Sequence, residues 1–144
     1  MNRRGFTLIE LLFVLIIVLI LNAVAVPQHL NFLEKTRSIE AIIYIGSLRR
    51  AMDRYWYNQR AFSLYYRPAT LDKLDIGNPN GDIDRFFNYT IKDNSTEDIK
   101  NYTIRAERIG KPETHWIQWM QIDNDTGSLY KSNALGGQKK LTSD

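Results

Sequence analysis

Arg3-Arg4-Gly5-Phe6-Thr7-Leu8-Ile9-Glu10-Leu11-Leu12 opens an apolar run that continues to Val26, with Asn22 as its one polar residue after Glu10, and stops at Pro27. From Phe6 to Val26 the run is 21 residues long. At the usual rise per residue that is about 30 Å of helix, enough to cross the hydrocarbon core of a bilayer. The two arginines stand just before it, so the positive-inside tendency keeps the N-terminus cytoplasmic and sends everything after Pro27 across. Glu10 is the residue that needs explaining, because a carboxylate in hydrocarbon is costly unless it finds a partner.

Three readings compete for this segment. A secretory signal peptide has a basic start, an apolar stretch of about 7–15 residues and a small-x-small cleavage site, which Ala23-Val24-Ala25 would supply. The run is longer than that and contains Glu10. A permanent single-span anchor fits the length but leaves Glu10 unexplained. The third reading starts from the order Arg-Arg-Gly-Phe-Thr-Leu-Ile-Glu, which resembles the cleavage and methylation signature of type IV prepilins and of their pseudopilin relatives in type II secretion. The resemblance covers Arg3 to roughly Pro27, with weaker support along the helix that follows.

That resemblance implies a leader, residues 1–5, removed by a prepilin peptidase between Gly5 and Phe6, followed by N-methylation of Phe6. It also assigns a role to Glu10. Cutting before Phe6 creates an α-amino group that is mostly positive at neutral pH, and burying either charge by itself is costly. When helices bundle into a filament core, Glu10 of one subunit meets the Phe6 ammonium of the next and fixes their register, much as a polar residue does at a coiled-coil seam. Read from the residues alone, Glu10 also suits the positive end of its own helix dipole, and Thr7 is placed to satisfy backbone groups in the first turn.

Beyond the run, Pro27 sits inside a pattern that stays helical on both sides, so a kink or a local loosening of the helix is expected there. Leu30, Leu33, Ile39, Ile42, Ile43, Ile45, Leu48, Met52, Tyr55 and Trp56 then recur at spacings of three and four among charged residues, the mark of an amphipathic helix. One long helix is predicted from Phe6 to about Tyr57, with segments 6–27 (membrane and assembly) and 28–57 (amphipathic). Gly46 is a weak point within it, and Tyr55, Trp56 and Tyr57 are expected to pack in a core.

After Tyr57 the period changes. Residues 58–68 read as an irregular link, with a short helical piece near Thr70–Leu74 for which Thr70 is the expected cap. Gly77-Asn78-Pro79-Asn80-Gly81-Asp82 is a dense turn. Alternation at Phe87, Tyr89 and Ile91, at Tyr102, Ile104 and Ala106, along His115–Ile122 and at Leu129–Lys131 predicts four antiparallel strands. The fold class is therefore α+β: a long kinked N-terminal helix packed on a four-stranded antiparallel sheet, pilin-like, with the head spanning 58–144. Residues 136–144 carry little to bury and are expected to fray or to lie on the surface.

Composition narrows the chemistry. The chain of 144 residues has a net charge of +3, 24% charged residues, no cysteine and two histidines, His29 and His115. Disulfides and thiolate metal sites are excluded, no nucleophile elbow accompanies His115, and no enzymatic activity is expected. Asp123-Asn124-Asp125-Thr126-Gly127 begins like a calcium loop but lacks the closing glutamate. Asp82, Asp84, Asp123 and Asp125 are candidate calcium ligands, otherwise hairpin and turn formers, and no other cofactor is expected. Asn88, Asn94, Asn101 and Asn124 start Asn-x-Ser/Thr triplets. Lysine and arginine form no stripe, so DNA binding is not supported.

The resemblance therefore implies the major pilin of a type IV pilus: a structural protein held in the inner membrane and the lipid bilayer as a precursor, then assembled by inner-membrane machinery into a helical homo-oligomeric filament on the cell surface. The alternative within the same family is a major pseudopilin of a type II secretion system, acting in the periplasm.

Overall fold

The computed structural model describes residues 7–136 and, as backbone, 141–142. The chain divides into two compact units, Met1–Glu34 and Lys35–Asp144. Helix α1, Leu8–Phe62, is 55 residues long and contributes to both.

Within the first unit every side chain from Leu8 to Phe32 is exposed in the isolated chain. The sequence explains this: apolar residues occupy all faces, so no single stripe is set aside for a core. The helix continues unbroken through Pro27. Proline has no N–H, so the Ala23 carbonyl four residues back loses the donor that any other residue would supply.

In the second unit α1 buries Ala41, Ile45, Leu48 and Met52 in a stripe with spacings of four, three and four, joined by Ala51 and Trp56. Ile39 and Ile43, which the periodicity also assigned to the packed face, are 56% and 63% exposed. Each lies about 200° round the helix from its neighbour two positions on, Ala41 or Ile45, which places them on the opposite side. The helix also ends at Phe62, past the expected Tyr57. No glycine or proline interrupts 58–62. The Arg60 guanidinium lies 4.7 Å from the centre of the Trp56 ring one turn back, and the Ser63 N–H closes the last turn on the Gln59 carbonyl at 3.0 Å.

Five strands form one antiparallel sheet in sequential order: β1 (Phe87–Asp93), β2 (Tyr102–Arg108), β3 (Trp116–Gln121), β4 (Gly127–Lys131) and β5 (Leu141–Thr142). The first four are those expected from the alternation, and their register aligns the inward residues in rows. Tyr89 faces Ala106, which faces Ile117; Ile104 faces Trp119, which faces Leu129. These side chains meet the buried stripe of α1 in one core, each large one contributing about 1.5–3 kcal/mol by leaving water. Within the tail, Leu141 pairs with Leu129 and Thr142 with Ser128, so these two residues do not fray; 137–140 and 143–144 lie outside the described residues. The outer edge of β4 offers unpaired backbone groups, and two residues suffice to take some of them.

The connecting segment is tied down by side chains. Asp93 at the end of β1 accepts hydrogen bonds from the Tyr66 hydroxyl and from the Ala69 N–H, the latter at 2.7 Å. Burial and the neighbouring Asp93 push the Tyr66 phenol above its ordinary pKa. A single 3-10 turn, Leu71–Lys73, replaces the expected short helix, and the Thr70 side chain makes no capping bond. A second turn, Pro79–Gly81, places Asn80 against the free edge of β1. There its Oδ1 accepts from the Tyr89 N–H at 2.8 Å and its Nδ2 donates to the Tyr89 carbonyl at 2.7 Å.

Candidate functional site

The start of α1 is a reciprocal cap. Thr7 stands just before the first helical residue, and its Oγ1 accepts from the Glu10 N–H at 3.4 Å. Glu10 reaches back, its Oε2 accepting from the Thr7 N–H at 3.1 Å and from the Thr7 hydroxyl at 3.0 Å. A threonine followed three residues later by a glutamate is the pairing that satisfies the exposed N–H groups of a helix start. Both bonds fall on Oε2; Oε1 makes no hydrogen bond among the described residues. The bland expectation for Thr7 holds, and the carboxylate keeps one oxygen free while serving its own helix. Gly5 and Phe6, the expected cleavage and methylation positions, lie outside the described residues. Behind the cap, α1 is long and apolar enough to cross a membrane, by length and composition.

The head carries its charges in a different way. Asp123 Oδ1 accepts from the Asp125 N–H at 3.0 Å and the Thr126 N–H at 2.7 Å. Those donors hold its carboxyl below the usual carboxylate range, in the turn that joins β3 to β4. Asp82 Oδ1 accepts from the Asp84 N–H at 3.1 Å in a separate turn before β1. The four candidate calcium ligands are thus found in two turns, and among the described residues no three histidine, aspartate or glutamate side chains converge as a metal set.

Arginines lie over aromatic rings: Arg37 over Phe86 at 4.7 Å, Arg49 over Trp119 at 4.6 Å, Arg105 over Trp116 at 5.0 Å. Arg54 forms a two-pronged ion pair with Asp75 at 2.6 and 2.8 Å. The sequence reading missed a buried cation. Lys100 is 7% exposed, pairs with Asp53 at 3.1 Å and lies 5.5 Å from the centres of both the Trp56 and the Tyr57 rings. Asp53 and Lys100 are too far apart in sequence for any spacing rule to have joined them.

A capped apolar helix start, followed by an antiparallel sheet packed on the later part of the same helix, defines a pilin-like α+β protein. Comparison with known sequences agrees. The family model for the prokaryotic N-terminal methylation motif matches residues 1–26. The type IV major pilin protein PilE1 of Neisseria gonorrhoeae is 32% identical over 81 residues, 56% of this chain and 46% of its own length. The type IV major fimbrial protein FimA of Dichelobacter nodosus is 37% identical over 51 residues, 35% of this chain and 33% of its own. A fimbrial protein of Pseudomonas aeruginosa matches to the same extent, 37% over 51 residues, again 35% and 33%. The chain thus spans less than half the length of these relatives. No solved structure matches it. In its N-terminal segment and its α+β fold the chain is similar to type IV pilins.

Proposed function

We propose that this chain is a structural subunit, the major pilin of a type IV pilus. It is made as a precursor, cut between Gly5 and Phe6 by a prepilin peptidase, methylated on the Phe6 amine, and drawn from the inner membrane by assembly machinery into a helical filament on the cell surface. The observation that carries this reading is the Thr7–Glu10 cap at the head of the exposed apolar stretch Leu8–Val26, in the segment that matches the methylation motif. The pilus is preferred to the secretion pseudopilus because the relatives are named as pilins and fimbrial proteins.

In the filament, apolar contact between copies of Leu8–Val26 supplies most of the cohesion. Glu10 Oε1 takes the Phe6 ammonium of an adjoining copy, so two charges that would each be costly in a dry core cancel. The filament role involves no catalysis by the subunit itself.

Intact-mass measurement of the chain from its native host, together with electron microscopy of sheared surface material, tests the reading. The expected product begins at N-methylated Phe6 and is found in filaments. A product that keeps Met1 or begins at Val26 refutes it. Glu10→Gln should leave precursor level and cleavage intact while filaments become scarcer and shorter; filaments of unchanged number, length and order refute the register role.

A further inference from the structure

Asn80-Gly81 is the one place in the chain where glycine follows asparagine. Such a pair carries latent chemistry. Glycine has no side chain to shield its backbone nitrogen and lets the chain take conformations that other residues resist, so that nitrogen can reach the side-chain carbonyl carbon of the asparagine before it and close a cyclic imide. In the folded head both reacting groups are engaged elsewhere. The Gly81 N–H donates to the Asn78 carbonyl at 3.0 Å, inside the 3-10 turn Pro79–Gly81. The Asn80 amide is docked on the edge of β1, its Oδ1 accepting from the Tyr89 N–H at 2.8 Å and its Nδ2 donating to the Tyr89 carbonyl at 2.7 Å. Asn78 braces the turn, its Oδ1 accepting from the Asn80 N–H at 2.9 Å, and Pro79 is buried beside it. Gly81 itself is exposed, so water has access to the site whenever the turn lifts.

We infer that Asn80-Gly81 is a site of covalent self-modification, latent while its turn is docked on β1 and reactive when the turn lifts. The Gly81 nitrogen bonds to Asn80 Cγ and the Cγ–Nδ2 bond breaks; Nδ2 leaves as ammonia, carrying the proton that the Gly81 nitrogen gives up. Water then opens the imide, giving aspartate on one side or, on the other, isoaspartate, whose chain runs through the former side chain. No further reactant is needed. Neither product restores the docking. A carboxylate oxygen stands where Nδ2 donated, so the Tyr89 carbonyl meets an acceptor in place of its donor, and isoaspartate also adds a carbon to the backbone path. A brief opening is thereby made permanent, and the edge of β1 is left with an unpaired backbone group. The inference rests on the head alone and stands or falls apart from the filament reading.

The test keeps the full chain in mild detergent at mildly alkaline pH, with and without enough urea to unfold the head, and follows each asparagine by peptide mass mapping, with fragmentation to separate aspartate from isoaspartate. In urea, Asn80 should convert faster than any other asparagine. In buffer both Tyr89 hydrogen bonds must part first, which should slow the conversion by at least about fivefold. Gly81→Ala obstructs the attack on Asn80 without disturbing the fold: apart from its chain neighbours and the backbone of its own turn, no atom lies within 4 Å of the position its methyl would take. That variant should convert more slowly in urea and keep a urea midpoint no lower than the parent's. Asn80→Asp carries the aspartate product from the start and should lower the folding constant of the head by at least about fivefold. Equal rates in buffer and in urea, no preference for Asn80 in urea, or an Asn80→Asp head as stable as the parent overturns the inference. The two parent rates decide whether the fold guards the site without any variant, and filament formation plays no part in the assay.

Discussion

Replacing Gly127 by alanine should destabilise the head through one clash. Gly127 opens β4 opposite Gln121, and a methyl carbon built there would lie 2.2 Å from Trp119 Cζ2, 2.6 Å from Gln121 Oε1 and 2.9 Å from Trp119 Cε2. Carbon atoms settle at about 3.5–4.0 Å, so the indole must retreat by more than an ångström. It has little room, being 6% exposed. Its Nε1 donates to Gln121 Oε1 at 3.1 Å, and Arg49 covers one face. Overpacking of this kind costs about 1–3 kcal/mol, loss of the indole hydrogen bond about 1 kcal/mol, and disturbance of the arginine stack about 0.5–1 kcal/mol. The lower chain entropy of alanine in the unfolded state returns about 0.4–1 kcal/mol. A net loss of about 2–4 kcal/mol follows. Urea unfolding in mild detergent, followed by tryptophan fluorescence, should show an earlier midpoint with an unchanged slope, and the native near-ultraviolet dichroism of tryptophan should shift. A midpoint equal to or above that of the parent refutes the packing of Trp119 on Gly127.

Gly46→Ala is the complement: apart from its chain neighbours and the adjacent turns of helix backbone, no atom lies within 4 Å of the position its methyl would take, so the same urea experiment should show a gain of up to about 1 kcal/mol from helix propensity. Asn80→Ala strips the Tyr89 N–H and carbonyl of their partners and should cost about 2 kcal/mol, with faster hydrogen exchange at the Tyr89 amide and more aggregation through the bared edge. Alkali should unfold the head, because burial pushes the phenols of Tyr89 and Tyr102 above the ordinary value of 10.0. Raised folded-state values mean that their contribution is complete below about pH 10 and falls as pH rises beyond it, by about 1.4 kcal/mol per pH unit for each phenol. Urea midpoints at pH 9, 10 and 11 measure the slope, and Tyr89→Phe should flatten it.

Much of this architecture could be read from periodicity because local pattern and global packing coincide. The four main strands alternate where one face meets the core, and the Ala41–Met52 stripe recurs at helical spacing, so sequence and structure agree there. Disagreement appears where tertiary contacts decide. Ile39 and Ile43 look like core residues by hydrophobicity and spacing, but the sheet covers only one side of the helix. The helix end moved to Phe62 because Arg60 found the ring of Trp56. Leu141 and Thr142 became a strand because β4 presented an open edge, which no local signal in the tail announces. Of the local arrangements at the candidate sites, the Thr7–Glu10 cap was legible because a threonine in the first turn and a carboxylate among aliphatic residues each demand a reason. The Lys100–Asp53 pair was not, since each residue looks like ordinary surface charge until the fold brings them together.

The geometry at Glu10 removes an apparent conflict between two explanations of that residue. If capping the helix and recognising another subunit required the same oxygen, assembly would have to break the cap and leave the Thr7 N–H without a partner in a dry filament core. Thr7 uses Oε2 for both of its donations, and a carboxylate carries about four lone-pair sites on its two oxygens. An incoming ammonium can therefore bind Oε1 while the cap stays closed. The cap also fixes the carboxylate's rotamer before a neighbour arrives, so less side-chain entropy is lost when the intermolecular pair forms. Aspartate at the same position would keep the charge but shorten the reach, and glutamine would keep the reach but lose the charge. Threonine three residues ahead of glutamate thus caps the isolated helix, and in the proposed filament the same arrangement would leave Oε1 for a neighbour's ammonium.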